Sequence, residues 1–359
     1  MRRTGVVYDE RCVAHAPPGG MPPHGLPDWL AVPPFERPER LTLTRQALEG
    51  SGVLASVTEL APRFATEAEL RLAHTDAHVG RILEATASGE QLEVGDDAWT
   101  GPGTHDAFRL AAGGLLTAVE QVLDGSLDNA FALLRPPGHH AERDAAMGFC
   151  LVNNIAIAAR WAQRERGIER VAIVDWDVHH GNGTEEIFLD DPSVLTISLH
   201  QDGLYPAETG GLDTRGAGNA NLNIPLPAAT GDAGYALAFD RVVAPAVRAF
   251  DPDLLLIAAG QDASATDPLG RMSITVPGFR ALADRAVALA GELCRGRLVA
   301  MLEGGYSLLH LPLANLAILE GLAGLDATFP DDPIGADVPR ELRDGERAAV
   351  AAAEQAHLA

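Results

Sequence analysis

Four side chains that can bind a metal or move a proton follow one short apolar run in the sequence. The run VAIV, residues 171–174, is rich in β-branched residues and predicts a buried parallel strand. It leads into a glycine-bearing turn and four polar residues: Asp175, Asp177, His179 and His180. The turn allows Asp177 and His179 to converge on one ion. Because two carboxylates and two imidazoles in six residues are costly to place without a function, the stretch predicts a functional site rather than a solvated acidic turn.

A second histidine pair, His139 and His140, follows the motif RPPG. The prolines fix the approach of the chain, and Gly138 lets the backbone come close to a ligand. Adjacent side chains diverge, so each histidine needs its own partner, and the candidates are Asp175 and Asn182. A carboxylate partner raises the pKa of an imidazole, whereas an amide fixes its tautomer without stabilising its charge as much. One histidine would therefore stay cationic while the other serves as a base.

Two later segments add a further ligand and a hydrogen-bond donor. Asp262 lies two residues beyond the apolar run 254–260, which is a suitable place for a third metal ligand, with Asp267 as its competitor. Together with Asp177 and His179 it would leave room for water and a substrate carbonyl, as catalytic metal sites do. Tyr306 follows two glycines, where its phenol would donate to a developing oxyanion.

The elements that must position these residues alternate between strands and helices. Strands are predicted at 5–10, 130–134, 171–176, 194–200, 254–260 and 298–305. Helices are predicted at 39–50, at 66–73 after a Thr66/Glu69 capping box, at 76–88, and in a segment ending at about Leu123. Such alternation is typical of a parallel sheet with helices on both faces. Because ligands bind at the carboxyl ends of such strands, the polar strand ends belong to one site.

Two irregular stretches are candidate walls of that site. Residues 15–38 are rich in proline and glycine, with Trp29 and Phe35 available for apolar contact. Residues 95–108 are polar and irregular, and Asp97 would present its carboxylate at a rim.

Composition limits the class of protein. The chain has 359 residues, 47% of them hydrophobic, and its composition shifts only near 326–339, which favours one domain with a helix at about 340–355 packed on it. Three scattered cysteines argue against a disulfide framework. With no apolar secretion segment and no run near the roughly 20 apolar residues of a membrane span, we expect a cytoplasmic protein without membrane contact. The net charge of −23 disfavours direct nucleic acid binding and would attract cationic substrates.

Six motifs together resemble the zinc-dependent histone deacetylase family, specifically its class II branch and the bacterial histone deacetylase-like amidohydrolases. These are RPPGHHA, GFCLVNN, VDWDVHHGNGT, TISLH, GQDASATDPLG and EGGYS. The resemblance covers residues 4–325 or so, and residues 326–359 form a carboxyl-terminal extension. It implies an α/β single-domain arginase/deacetylase fold with a central eight-stranded parallel sheet and helices on both faces. It also implies hydrolysis of an N-acetyl amide on an amine-bearing side chain or polyamine.

The resemblance further implies roles for individual residues. One Zn²⁺ per chain would be held by Asp177, His179 and Asp262, although Fe²⁺ also suits such a donor set. His140 would be general base and then acid, and Tyr306 would bind the oxyanion. His139, paired with Asp175, would act electrostatically. Asn182, the class II residue at its position, would partner His140.

Other positions match structural and substrate-contacting residues of the family. Structural K⁺ would be bound, mainly through main-chain oxygens, at Asp175, Asp177, His179, Ser198 and Leu199. The substrate channel would be formed by Gly138, Phe149, Tyr205, Gly304 and Asp97. His180 is left without a direct role, and we expect it to support the site from behind.

Two departures from the family pattern leave the substrate open. Gln261 stands where Phe or Leu commonly precedes the aspartate ligand, and the 15–38 loop matches neither lysine-peptide nor acetylpolyamine enzymes. Tyr205 also occupies a position that is often Phe. The sequence does not fix the native metal or whether the chain forms a homo-oligomer.

The leading hypothesis is a deacetylase of acetyl-lysine-like groups on a peptide or small molecule. The first alternative is an acetylpolyamine amidohydrolase. An arginase-like ureohydrolase would need two adjacent metals, and a non-catalytic acyl-lysine-binding protein would not need the complete catalytic set.

Overall fold

A computed structural model describes residues 2–18, 33–335, 338 and 341–358 of the chain. Within these residues the strands are β1 (Thr4–Val7), β2 (Thr58–Leu60), β3 (Glu93–Asp96), β4 (Ala98–Trp99), β5 (Asn129–Ala132), β6 (Ala146–Met147), β7 (Val171–Asp175), β8 (Val194–Gln201), β9 (Asn221–Leu226), β10 (Leu254–Ala259) and β11 (Leu298–Leu302). The α-helices are α1 (Glu39–Ser51), α2 (Glu67–Leu70), α3 (Asp76–Ala87), α4 (Thr104–Leu123), α5 (Asn154–Arg166), α6 (Asn182–Phe188), α7 (Asp232–Ala238), α8 (Ala244–Phe250), α9 (Val276–Leu293), α10 (His310–Ala323) and α11 (Asp344–Leu358).

Eight of these strands form one parallel sheet in the order β2-β1-β5-β11-β10-β7-β8-β9. Every residue of β5, β7, β10 and β11 is buried, as their largely apolar sequences require when helices cover both faces. Helices α1, α9 and α10 pack together as one group, and α4 and α5 as another. The predicted fold class, a central eight-stranded parallel sheet between helices, is therefore confirmed.

The sheet register aligns the strand ends that carry the polar residues. Asp175, the last residue of β7, pairs with Ala258 of β10 on one side and Ser198 of β8 on the other. Since all strands run in the same direction, the turns after β5, β7, β10 and β11 lie together at the carboxyl ends of the strands.

The strands that sequence patterns did not predict are the two outer strands of the large sheet and the strands of a second, small sheet. β2 and β9 are the two outer strands of the large sheet, and β9 contains a proline, which is tolerated at an edge because one side of the strand needs no ladder hydrogen bonds. A second, three-stranded sheet has the order β4-β3-β6. It lies partly in residues 95–108, so the prediction that this stretch is irregular was wrong for β3 and β4.

Helices α1, α3 and α4 follow the predictions within one residue at the predicted ends, whereas α2 ends at Leu70, three residues before the predicted end. The Thr66/Glu69 capping box is present at α2, and the cap of α3 is Thr75, one residue before the predicted start. Strand β1 is shorter than predicted because Asp9 caps a 3₁₀ turn at Glu10–Cys12.

The carboxyl-terminal helix α11 begins at Asp344, four residues later than predicted, and packs against β9 and α7. Glu346, Val350 and Ala353 are its buried residues, and His357 Nε2 lies 3.0 Å from the carbonyl oxygen of Asn223. Among the residues that the structure describes, no helix combines the length and apolar character needed to cross a bilayer.

Candidate active site

Three potential metal ligands converge in the turns after β7 and β10. His179 Nδ1 lies 3.1 Å from Asp177 Oδ1 and 3.1 Å from Asp262 Oδ2, and one donor atom from each residue lies within 4.8 Å of the other two. Donors bonded tetrahedrally to one ion at about 2.0–2.2 Å stand roughly 3.3–3.6 Å apart. All three residues are buried, so the group has the spacing and composition of a metal site.

Backbone groups and two glycines shape the space around these ligands. The N–H of Gly304 donates to Asp177 Oδ2 at 2.7 Å, and the N–H of Val178 donates to Asp262 Oδ1 at 2.8 Å. A Cβ at Gly260 would lie 2.0 Å from Asp177 Oδ2, and one at Gly304 would lie 2.0 Å from Asp262 Oδ2. Only glycine at these two positions leaves room for the carboxylates. Gly304, predicted as a channel residue, thus lies directly at the ligand group.

The protonation of the ligand group fits a bound cation. Burial alone would lower the pKa of His179, but hydrogen bonds to Asp177 and Asp262 outweigh it and raise the pKa to about 10. Burial, together with the charge of Asp177, raises the pKa of Asp262 to about 7. The two carboxylates thus demand a positive charge between them, and a divalent ion on the same donors would supply it in place of the imidazole proton.

The histidine pair lies above the ligands, and each histidine has a different partner. His139 Nδ1–H donates to Asp175 Oδ2 at 2.9 Å, and His140 Nδ1–H donates to Asn182 Oδ1 at 2.8 Å. The ring centroids of the pair are 4.0 Å apart, and the His140 ring lies 5.8 Å from that of His179. Because Asn182 accepts at Nδ1, His140 keeps the lone pair of Nε2 free.

The two partners give the histidines opposite charge states. Burial would lower the pKa of His139, but the carboxylates of Asp177 and Asp175 raise it to about 10. Burial, together with the positive charges of His139 and His179, holds the pKa of His140 well below its usual value. At neutral pH the pair therefore combines a cationic His139 with a neutral His140 that can accept a proton.

Glu303 is a buried carboxylate of the site that sequence reasoning missed. Its Oε2 accepts the N–H of Gly138 at 2.6 Å and that of His139 at 3.1 Å, so it joins the turn after β11 to the histidine loop. Burial raises the pKa of Glu303 to about 7. The sequence offered a signal for Glu303, because it directly follows an apolar strand, much as Asp175 ends one.

Gly138 is close enough to other backbone that a Cβ there would lie 2.6 Å from the nitrogen of Asn154.

Tyr306 is held beside the site by Asp267. The backbone N–H groups of Tyr306 and Ser307 donate to Asp267 Oδ2 at 2.7 and 3.1 Å. Asp267, the competing candidate for the third ligand, thus binds the tyrosine loop, whereas Asp262 lies in the group with Asp177 and His179. The Tyr306 ring packs edge-on against Phe149, with centroids 5.7 Å apart, and against Phe35 at 6.4 Å.

Two aromatic rings flank the approach to these groups. Phe149 adjoins Tyr306, while the Tyr205 ring lies 5.2 Å from His140 and 6.4 Å from His179. Both side chains are half-buried. Of the 15–38 loop, Phe35 lies beside Tyr306, whereas Trp29 falls in residues 19–32, outside the described part of the chain.

The turn between β3 and β4 touches both walls. The carbonyl oxygens of Asp96 and Asp97 accept the N–H groups of Gly148 and Phe149, each at 2.9 Å. The Asp96 carboxylate also accepts the Tyr205 hydroxyl at 3.0 Å. Partial burial and the neighbouring carboxylates raise the pKa of Asp97 to about 6.

The remaining predicted positions surround this centre. Ser198 and Leu199 lie on β8, and Ser198 with Asp175 lines a small cavity of about 10 Å³. His180 Nδ1 lies 2.9 Å from Thr209 Oγ1 and its Nε2 lies 3.3 Å from Glu185 Oε2. It thus joins the metal-ligand turn to the loop that carries Tyr205.

Gln261 is buried next to the tyrosine loop, and its backbone N–H donates to the carbonyl oxygen of Gly304 at 3.0 Å. Within the described residues neither polar atom of its amide group has a hydrogen-bond partner. A buried amide without partners is unfavourable relative to the apolar residue expected there.

Comparisons with known proteins agree on one family. Residues 34–322 match the family described as histone deacetylase domain. The chain is 39% identical to the histone deacetylase-like amidohydrolase of Pseudomonas aeruginosa over 92% of this chain and 88% of that protein. It is also 39% identical to the polyamine deacetylase HDAC10 of Homo sapiens, over 81% of this chain but 45% of that protein. The crystal structure of the HDA15 HD domain superposes with a TM-score of 0.85 at 35% identity, covering 99% of this chain and 96% of that one.

Proposed function

The chain belongs to the histone deacetylase family, and from that premise we propose that it is a metal-dependent amidohydrolase that removes an acetyl group from an N-acetylated amine such as acetyl-lysine. The observation that carries the proposal is geometric: His139 is hydrogen-bonded to Asp175 and His140 to Asn182, and the pair lies beside a buried Asp-His-Asp group. An amide is a poor electrophile with a poor leaving group, and this arrangement addresses both difficulties.

Asp177, His179 and Asp262 would hold Zn²⁺, which supplies Lewis acidity toward the acetyl carbonyl and toward a water molecule. His140 Nε2 takes the proton of the attacking water, because Asn182 keeps the proton of the ring on Nδ1. His140 then returns a proton to the leaving amine. His139, held cationic by Asp175, favours the negative charge that develops beside it, and the Tyr306 hydroxyl donates to the oxyanion.

We further propose that the chain forms a single deacetylase domain holding one Zn²⁺, and that K⁺ binds near Asp175 and Ser198. The same three donors would also accept Fe²⁺. Metal analysis of protein purified without added metal distinguishes these ions. Two tightly bound Mn²⁺ ions per chain would instead favour a ureohydrolase.

A kinetic screen tests the proposed reaction. Zinc-loaded protein is assayed on acylated lysines, acetylated polyamines and small amides, with His140→Ala as the blank. We expect release of acetate from at least one class at a rate far above the blank. Equal rates for the two proteins on every substrate would contradict the proposal and favour a non-catalytic acyl-lysine-binding protein.

An acetylpolyamine amidohydrolase is the second candidate. The net charge of −23 favours a cationic substrate. The exposed carboxylates of Asp96 and Asp97, which would lie at the mouth of the proposed substrate channel, favour it as well. The similarity to a polyamine deacetylase is consistent with this candidate. Values of kcat/KM for acetylputrescine, acetylspermidine and an acetyl-lysine peptide separate the two candidates.

A further inference from the structure

A cluster of ionisable side chains that the proposed reaction does not use lies buried behind Tyr306. Arg40 and Arg135 are 0% exposed, Glu36 is 1% exposed and His15 is 2% exposed. Charged side chains are buried this deeply only when they are paired, and replacing a buried pair by apolar residues often stabilises a fold. Stability alone is therefore a weak reason for such a cluster.

Glu36 is the centre of the cluster. Its Oε1 accepts Arg135 Nε at 2.6 Å and Arg40 Nη1 at 3.0 Å, and its Oε2 accepts Arg135 Nη2 at 2.6 Å. Burial would raise the pKa of Glu36, but the charge of Arg135 and the hydrogen bonds outweigh it and hold the pKa well below its usual value. Burial lowers the pKa of His15, whose Nε2 lies 3.4 Å from Glu36 Oε2. One carboxylate thus serves two guanidinium groups.

Arg40 connects Glu36 to the tyrosine loop. Its Nε donates to the carbonyl oxygen of Gly305 at 2.6 Å, and its Nη2 donates to that of Glu303 at 2.5 Å. The guanidinium carbon lies 4.9 Å from the centre of the Tyr306 ring. Arg40 therefore touches the backbone on the amino-terminal side of Tyr306 and the face of its ring, while its Nη1 donates to Glu36.

Arg135 connects Glu36 to the histidine loop. Arg135 begins the motif RPPGHH, and its Nη1 donates to the carbonyl oxygens of Cys12 at 3.1 Å and His15 at 2.9 Å. The Glu303 carboxylate makes a second connection between the two loops, because it accepts the N–H groups of Gly138 and His139. The loops that carry His140 and Tyr306 are thus joined both directly, through Glu303, and from behind, through Glu36.

We propose that Glu36 is a positioning residue for Tyr306: it anchors to Arg135 in the histidine loop and holds Arg40 against the tyrosine loop, so that the phenol keeps a fixed position relative to the histidine pair. This inference rests on the proposed function, in which Tyr306 acts on the reacting carbonyl. A displacement of about 1 Å in such a group can cost roughly a hundredfold in rate, so a remote residue that prevents it affects turnover more than substrate binding.

Glu36→Gln tests the proposal because the amide keeps the shape but has no charge and only one acceptor oxygen for three N–H donors. We expect kcat to fall about tenfold or more while KM stays within about threefold. In a Tyr306→Phe background the same change should lower kcat by less than about threefold. A residue that acts through the phenol has no effect once the phenol is gone. Glu346→Gln is the control, since Glu346 is also a buried partner of an arginine, Arg343, but lies on α11.

A measurement without turnover complements the kinetics. The chain has four tyrosines, and with ¹³Cζ-labelled tyrosine the resonance of Tyr306 is assigned by its loss in Tyr306→Phe. Glu36→Gln should shift that resonance more than the other three, and Glu346→Gln should leave it in place. If Glu36→Gln does not fold, Arg40→Lys serves instead, because it keeps the charge and loses the planar fork that holds the loop.

Two results would overturn the proposal: an unchanged Tyr306 resonance, or a loss of kcat that persists in full in the Tyr306→Phe background. Failure of the proposed function gives a different pattern. In that case the wild type hydrolyses no acylated amine, while the resonance experiment still decides whether Glu36 positions Tyr306.

Discussion

The floor and the rim of the candidate site are built in different ways. The floor consists of Asp177, His179, Asp262, His139 and His140, which follow buried central strands and are each less than a tenth exposed. The rim consists of Asp96, Asp97, Phe149 and Tyr205, which lie in or next to the small sheet and in the loop after β8 and are half-buried or exposed. The groups that would perform chemistry are thus fixed by the main sheet, and those that would contact the substrate are fixed by peripheral elements.

Hydrogen bonding sharpens this contrast. Asp177 accepts the N–H groups of His179 and Gly304 and also lies beside the imidazole of His179, all within the buried interior. Among the described residues the side chain of Tyr205 has one hydrogen bond, to the exposed Asp96. Interactions in a low-dielectric interior are stronger than those at a surface. Changes in the floor should therefore alter the rate by orders of magnitude, and changes in the rim should alter substrate preference by small factors.

Metal removal should have the largest effect. Dialysis against a chelator should reduce turnover by about a thousandfold or more, because the water and the carbonyl lose their activation. One equivalent of Zn²⁺ per chain should restore it. Turnover and metal content are measured on the same samples, with circular dichroism as a control for folding. Full activity in protein holding less than about a tenth of an ion per chain would contradict the role of the floor.

Tyr306→Phe should come next, with kcat reduced about a hundredfold or more, as expected for loss of one oxyanion donor. Tyr8→Phe is the matched control. It removes the same hydroxyl from a tyrosine whose ring packs against Arg45 and not against the residues of the floor. Steady-state kinetics on the best substrate of the screen gives both values. An unchanged kcat in Tyr306→Phe would rule out the proposed mechanism.

The same contrast explains what could be predicted from the sequence. Every residue of the floor follows an apolar run or the motif RPPG, so local patterns identified it and the parallel sheet brought these segments together. Glu303 offers the same signal, since it ends the apolar run of β11. The outer strands β2 and β9 were missed because edge strands need neither continuous hydrophobicity nor a full set of ladder donors.

Long-range polar contacts could not be predicted from local patterns. Asp96 and Tyr205 are 109 positions apart, and Glu36 and Arg135 are 99 apart. Glu36 lies in a proline-rich, charged stretch that is typical of a surface loop, yet it is 1% exposed. Only the fold shows that such residues meet, and these are the contacts that decide the shape of the mouth and the support behind Tyr306.

The rim should respond to pH through Asp97. Partial burial and the carboxylates of Asp96 and Glu93 raise its pKa to about 6, so the side chain is charged above pH 6 and neutral below it. The amines of an acetylated polyamine remain protonated throughout this range. We expect KM for such a substrate to rise about two- to fivefold from pH 7.5 to 5.5. A change of this size corresponds to the free energy of one exposed ion pair. The rise should be absent in Asp97→Asn, and an unaltered pH dependence in that variant would assign it to another group.

The smallest effect should come from the bond between Tyr205 and Asp96. Because this bond ties the loop after β8 to the β3–β4 turn, losing it should loosen one wall and favour a longer acyl chain. Tyr205→Phe and Asp96→Ala should each raise the ratio of kcat/KM for butyryl over acetyl substrate about two- to threefold, as expected for one exposed hydrogen bond. The double variant should show no further change, since both substitutions remove the same interaction. Glu93→Gln removes a charge from the same strand without touching Tyr205 and should leave the ratio unaltered. If the two changes instead multiply, the rim acts through separate contacts, and the width of the channel must be set by the Phe149 wall.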